Sequence, residues 1–205
     1  MRKKPSGSRL AILAIVGLVL GGLAAILLVP GLLSPGIPSQ VTVGRALVGG
    51  PFSLVDHTGR RVTEKDFKGR YMLVMFGFTS CPDICPSGLQ VMSAALDKLG
   101  PKADRITPLM ITLDPERDTP QALAAYVPSF HKRLLGLSGS RDEIAAAAKQ
   151  YRVYYKKVPD EKNPGAYSID HSALIYLMGP DGAYVAHFPH ATNPDALAER
   201  LAKLL

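Results

Sequence analysis

Apolar positions follow three rhythms along the chain. The first is unbroken: residues 10–29 (LAILAIVGLVLGGLAAILLV) hold seventeen apolar side chains, three glycines and no charge. At 1.5 Å rise per residue, such a helix spans about 30 Å, the hydrocarbon thickness of a bilayer. The second is the short apolar block. Residues 71–79 (YMLVMFGFT) and 106–113 read as strands buried on both faces, with a shorter strand at 134–137. Alternation with turn residues predicts hairpins at 52–63, turning at Gly59, and at 172–188, turning at 179–182. The third rhythm is helical. Leu89, Met92, Ala95, Leu96 and Leu99 mark a helix over 86–99, which Gly100-Pro101 stops. Thr119-Pro120 opens a helix toward Val127, Ser140 and Glu143 form a capping box for one through Tyr151, and Asn193-Pro194 caps one to about Leu204. Strands alternating with helices, flanked by hairpins, predict an α/β domain of three layers around a mixed central sheet, with its chemistry at the C-terminal ends of the strands.

Charge divides the chain at the same place as hydropathy. Arg2, Lys3, Lys4 and Arg9 precede the apolar run, and all 17 acidic residues follow it. The remainder carries about +3 rather than +7, so the basic balance is no sign of nucleic-acid binding. Four cations on a nine-residue leader hold the N-terminus in the cytoplasm and send the rest across the membrane. A cleaved signal normally has a 7–15-residue core and a small-x-small cleavage site. This run has 20 residues and ends in Leu27, Leu28, Val29, Pro30, so an uncleaved anchor is expected. The organisation that follows is a leader at 1–9, a transmembrane anchor at 10–29, a Pro- and Gly-rich linker at 30–48 and one domain at 49–205. With no Arg- and Ser-rich transit peptide ahead of the run, the expected site is a bacterial inner membrane with the domain in the periplasm. The composition excludes solenoids and disordered chains.

Cys81 and Cys85 are the only cysteines, and both stand between a buried strand and a helix. A structural disulfide across so small a loop stabilises little. A helix start favours the thiolate, which attacks disulfides and binds metals, and an i, i+4 pair on one helical face places the Cα atoms about 6 Å apart. The pair is therefore redox active, metal binding, or both. Two thiolates and one imidazole suit Cu(I). Structural zinc wants four protein ligands and no third cysteine exists, although a Cys2His zinc site with an open position stays available. Of the five histidines, His57 and His131 read as solvated, and His187 and His190 as ordinary hairpin and loop residues. His171 stands at the start of the strand expected from 172, where a loop can approach the cysteines. Asp83 reads as a solvated loop carboxylate, and Asp118 and Thr119 as helix-start residues.

Five blocks, GGPFSLVD (49–56), FGFTSCPDICP (76–86), TLDPERDTP (112–120), YRVYY (151–155) and DHSALIYLM (170–178), closely resemble the Sco/SenC family. The resemblance covers roughly residues 49–190 in order. It implies a thioredoxin-like fold and a membrane-anchored copper chaperone that helps to build the CuA centre of cytochrome c oxidase. It also implies one copper per monomer, as Cu(I) and also Cu(II), with ligands at Cys81, Cys85 and His171. Implied partners are the CuA domain of oxidase subunit II and other copper chaperones or thioredoxin-like reductants. Arg117 takes a docking or site-shaping role.

The competing function is thiol–disulfide exchange at Cys81 and Cys85 on exported proteins. Against a general oxidoreductase stand the CxxxC spacing and His171-Ser172 where thioredoxin-like enzymes carry a cis-proline. A thiol peroxidase of the glutathione-peroxidase type needs a tryptophan, and the chain has none.

Overall fold

The computed structural model describes residues 47–205, together with Val16 and Leu18, both helical and exposed. Apart from those two residues, the anchor expected at 10–29 lies outside the described residues, as does most of the linker, and among the described residues no helix is long and apolar enough to cross a membrane. Residues Arg45–Leu205 form one compact unit.

Among the described residues of this unit nine strands form: β1 (Ser53–Asp56), β2 (Arg61–Thr63), β3 (Tyr71–Gly77), β4 (Ile106–Thr112), β5 (Leu135–Ser138), β6 (Tyr155–Pro159), β7 (Tyr167–His171), β8 (Leu174–Met178) and β9 (Tyr184–Pro189). Four α-helices accompany them: α1 (Ile84–Leu99), α2 (Pro120–Tyr126), α3 (Arg141–Gln150) and α4 (Pro194–Leu204). Seven strands make one mixed sheet, in the order β2-β1-β5-β4-β3-β8-β9. Within it β3, β4 and β5 run parallel, and β1 and β8 flank them antiparallel. The apolar block at the start of β3 has the expected cause, since Leu73, Val74, Met75 and Phe76 are wholly buried.

Helices cover both faces of this sheet, and the pleat shows which side each takes. On one face Gly77 of β3 abuts the Cys85 side chain of α1, Met75 abuts Gly88 of α1, and Gly136 of β5 abuts Leu123 and Val127 at α2. The intervening residue, Phe76, points the opposite way and packs on Tyr151, at the end of α3, and on Tyr176 of β8, with ring centroids 5.3 and 6.5 Å apart. The caps read from the sequence form as expected. Thr119 accepts the Ala122 N–H, Ser140 and Glu143 close a reciprocal capping box, and Asn193 accepts the Asp195 and Ala196 N–H groups.

Three differences from the sequence expectation matter for the site. Helix α1 begins at Ile84 rather than Pro86, so Cys85 is helical while Cys81 lies in the turn before it. The two cysteines therefore do not share a helical face. The strand expected from residue 172 begins at Leu174, and His171 instead ends β7. Finally, β6 and β7 form a separate two-stranded sheet that periodicity did not reveal.

Topology then brings the site together. β3 ends at Gly77, and the antiparallel pairing of Met75 with Ile175 makes the residues just before β8 arrive at that same end. The turn from β7 into β8 thus delivers His171 to the strand end that the cysteines follow.

Gly77 is a packing requirement at this junction. A Cβ there would stand 2.9 Å from Cys85 Sγ and 3.3 Å from its Cβ, against a fully buried neighbour. Gly77→Ala should lower unfolding stability in urea by about 1–3 kcal/mol, the usual cost of overpacking. An unchanged midpoint would mean that the Cys85 side chain is free to move aside.

Candidate metal centre

The cysteines occupy different environments. Cys85 is 0% exposed, whereas Cys81 is half-buried and lines a cavity of about 390 Å³ with Phe78, Pro82, Asp83, Ile84 and His171. Both are free thiols. The first turn of any helix leaves N–H groups unpaired. Here the N-cap residue Asp83 makes no side-chain cap bond, and the Cys81 sulfur does that work by accepting the Cys85 N–H at 3.3 Å. Cys81 is thereby oriented by the helix that carries Cys85.

His171 Nδ1 lies 3.0 Å from the Ser172 carbonyl oxygen, and Nε2 lies 3.5 Å from Cys85 Sγ. A carbonyl only accepts, so Nδ1 carries the proton and Nε2 presents a lone pair toward the sulfur. Burial lowers the His171 pKa, which keeps the ring neutral at pH 7. Burial also pushes the Cys85 thiol far above its ordinary range, contrary to the thiolate expected of a helix start. For a sulfur with no exposed surface, desolvation outweighs the dipole. The metal-free pair is therefore an S–H facing an imidazole lone pair.

Among the described residues, no three His, Cys, Asp or Glu side chains stand together closely enough to hold a metal ion, so a third ligand has to move in when one binds. The structure joins Cys85 to His171 and leaves Cys81 on the backbone side of Cys85, at the rim. An open site of this form has two soft sulfur donors and one imidazole nitrogen, a donor set that fits a monovalent soft cation in three-coordination.

The supporting residues are largely ones that sequence patterning did not single out. Asp118 is fully buried and is no simple helix-start residue. Its carboxyl group accepts from Thr79 N at 3.0 Å, Thr79 Oγ1 at 2.5 Å and Thr112 Oγ1 at 2.6 Å. It thus clamps the turn before Cys81 to the end of β4. Thr119 caps α2 as expected. Asp83 is exposed at the cavity mouth. Arg117 pairs with the buried Asp114 and donates from Nη1 to the Tyr167 carbonyl at 3.2 Å, while Tyr167 donates its hydroxyl to Asp114 at 2.8 Å. These contacts bridge the β4–α2 loop to β7.

Of the other histidines, His190 lies near enough to His171 for its charge to oppose protonation of that ring. His57 is tied to β5, accepting the Gly136 N–H at Nδ1, and is not simply solvated. His131 corrects the expectation more clearly: its side chain is only 9% exposed, and Nδ1 accepts the Arg133 N–H. His187 is exposed beside Tyr184, and His190 fixes the turn after β7 through its N–H to the Ala173 carbonyl.

A family model described as SCO1/SenC matches residues 40–205. The chain belongs to the SCO1/SenC family. Among its relatives, the human mitochondrial SCO1 homolog is 43% identical over 165 residues, which are 80% of this chain and 54% of that protein. The chain thus spans about half the length of that SCO1 relative. Of the solved Sco structures, copper-bound ScoI from Bradyrhizobium japonicum is 46% identical with a TM-score of 0.71, covering 77% of this chain and 99% of that one. Copper-bound ScoI from Arabidopsis thaliana is 43% identical with a TM-score of 0.72, covering 76% of this chain and 96% of that one. The mixed α/β sheet agrees with these Sco structures and with the thioredoxin-like arrangement read from the sequence.

Two outcomes follow from the thiol and imidazole environments. Iodoacetamide added to the metal-free protein should alkylate Cys81 well before Cys85, and equal rates would contradict the burial of Cys85. His171 should titrate below 6.5 by proton NMR. Because the unfolded ring takes up its proton first, this residue withdraws stability as the pH falls below 6.5. A titration above 6.5 would reverse that sign and contradict the buried neutral ring.

Proposed function

We propose that this chain is a membrane-tethered copper metallochaperone of a bacterial inner membrane, with its folded domain in the periplasm. Copper is its cargo, bound one per monomer by Cys81, Cys85 and His171. It delivers that copper to, and/or maintains the thiols of, the CuA site of cytochrome c oxidase subunit II. The observation that carries the reading is the neutral His171 Nε2 facing the buried Cys85 sulfur at 3.5 Å, with a second thiol at the cavity rim. Family membership and the copper-bound Sco relatives support it. The partners are the oxidase CuA domain, and other copper chaperones or thioredoxin-like reductants.

The difference between the sulfurs suits ligand exchange. Copper loading replaces the Cys85 thiol proton, so binding releases protons and tightens as the pH rises. Cys81, half-buried at the rim, is the ligand that an incoming acceptor thiolate displaces first. Cys85 and His171 hold the ion from behind until the acceptor completes its own set.

A second reading, thiol–disulfide exchange, draws on the same asymmetry. The accessible Cys81 thiolate attacks an acceptor disulfide and forms a mixed disulfide. Cys85, losing its proton, then attacks Cys81 and releases the acceptor as a dithiol, with two electrons passing from the pair to the acceptor. In this chemistry His171 is not a required ligand.

Anaerobic Cu(I) titration of the full chain against a competing chelator separates the readings. One equivalent should bind, and Cys81→Ala, Cys85→Ala and His171→Ala should each weaken it by at least tenfold. Binding in His171→Ala as tight as wild type would overturn the ligand assignment. Disulfide exchange without copper retention would favour the oxidoreductase.

A further inference from the structure

His171 belongs to a two-stranded sheet outside the main one, so its position relative to the cysteines has to be fixed by something other than ladder hydrogen bonds of the core. The backbone brings His171 to this end of the sheet through the turn into β8, which the His190 N–H fixes at the Ala173 carbonyl, and Ser172 N donates to the Tyr154 carbonyl at 2.9 Å, tying the end of β7 to the start of β6; neither bond sets the direction of the imidazole ring. Side chains supply the connection. The His171 ring meets the Phe78 ring edge-on, with centroids 6.0 Å apart. The Arg117 guanidinium stands 5.9 Å from the Phe78 centroid and 3.9 Å from that of Tyr167. Lys157 lies 4.4 Å from the Tyr167 centroid, and its ammonium pairs with Glu116 at 2.8 Å. Five side chains thus form a continuous column, His171–Phe78–Arg117–Tyr167–Lys157.

The middle of this column is stiff and its outer end is soft. Asp114 has no exposed surface and holds both Arg117 and the Tyr167 hydroxyl, so neither can leave without uncovering a buried carboxylate. The Lys157–Glu116 pair is solvent-exposed and adds little rigidity. Arg117 Nη2 is buried with no hydrogen-bond partner. A guanidinium kept in place despite an unpaired donor is held by its Nε–H bond to Asp114, its Nη1–H bond to the Tyr167 carbonyl and its stacking planes.

We propose that Arg117 and Tyr167 are positioning residues for His171, acting through the Phe78 ring and the β7 backbone to set where the imidazole stands over the cysteine pair. Neither touches the metal. The effect on copper binding rests on the copper reading above, whereas the placement of the ring is a property of the metal-free protein and is tested without it.

Three measurements on the full chain decide the matter. In the metal-free protein, Arg117→Ala should shift the ring resonances of His171 and raise hydrogen exchange along β7. In the Cu(I) competition titration, Arg117→Ala should weaken binding by about 10–100-fold, the range typical of groups that orient a ligand. In a His171→Ala background the same substitution should cause no further loss, because its effect passes through that ring. Tyr167→Phe removes only the hydroxyl bond to Asp114 and keeps the stack. It should show the same signs to a smaller extent, and it decides the question if Arg117→Ala fails to fold. Unchanged His171 resonances in a folded variant, or equal losses of affinity in both backgrounds, would overturn the proposal. A wild type that binds no copper would instead remove the copper reading and leave the ring shift as the test of this one.

Discussion

A soft-metal site made from one CxxxC segment is short of a ligand, and that ligand has to come from far along the chain. Here it crosses 86 residues to place an imidazole nitrogen 3.5 Å from a buried sulfur. Neither group is comfortable alone. A thiol without exposed surface cannot readily ionise, and a buried imidazole cannot readily take a proton. Facing each other, the two neutral groups satisfy one another and keep the site in a form that a cation enters by displacing thiol protons. The parallel strands, the clamp at Asp118 and the bridge at Arg117 all bear on that distance.

Two constraints meet at the end of β3. Gly77 gives the Cys85 side chain room to lie against the sheet, so the sulfur is buried by the absence of a side chain beneath it. Asp118 takes three hydrogen bonds from Thr79 and Thr112, which fixes the turn that presents Cys81. One cysteine is thus held by packing and the other by a polar network. Their unequal exposure follows from this difference in support, and under the proposed copper function it is what would separate a retaining ligand from an exchanging one.

Much of this was legible in the sequence because it rests on local chemistry. The β3 block and the breaker at Gly100-Pro101 locate the cysteines between a strand and a helix, and Thr119, Ser140 and Asn193 cap the helices they were expected to cap. What escaped depends on tertiary context. The strands β6 and β7 carry lysines, a proline and an aspartate because one face of that small sheet is exposed, so no clean alternation marks them. The role of Asp118 is invisible without its burial. The thiolate expected at Cys85 was wrong because a helix dipole can be read from a sequence but the loss of solvent cannot. His171 gains its meaning from the resemblance, since one histidine before a strand is common and only topology brings it to β3.

The central claim is that copper is bound by two sulfurs and one imidazole on this framework. X-ray absorption at the copper edge of the Cu(I)-loaded full chain tests it most directly. The account predicts two sulfur scatterers and one nitrogen scatterer, with the imidazole signature absent in His171→Ala. A spectrum fitted by two sulfurs alone, unchanged when His171 is removed, would contradict it.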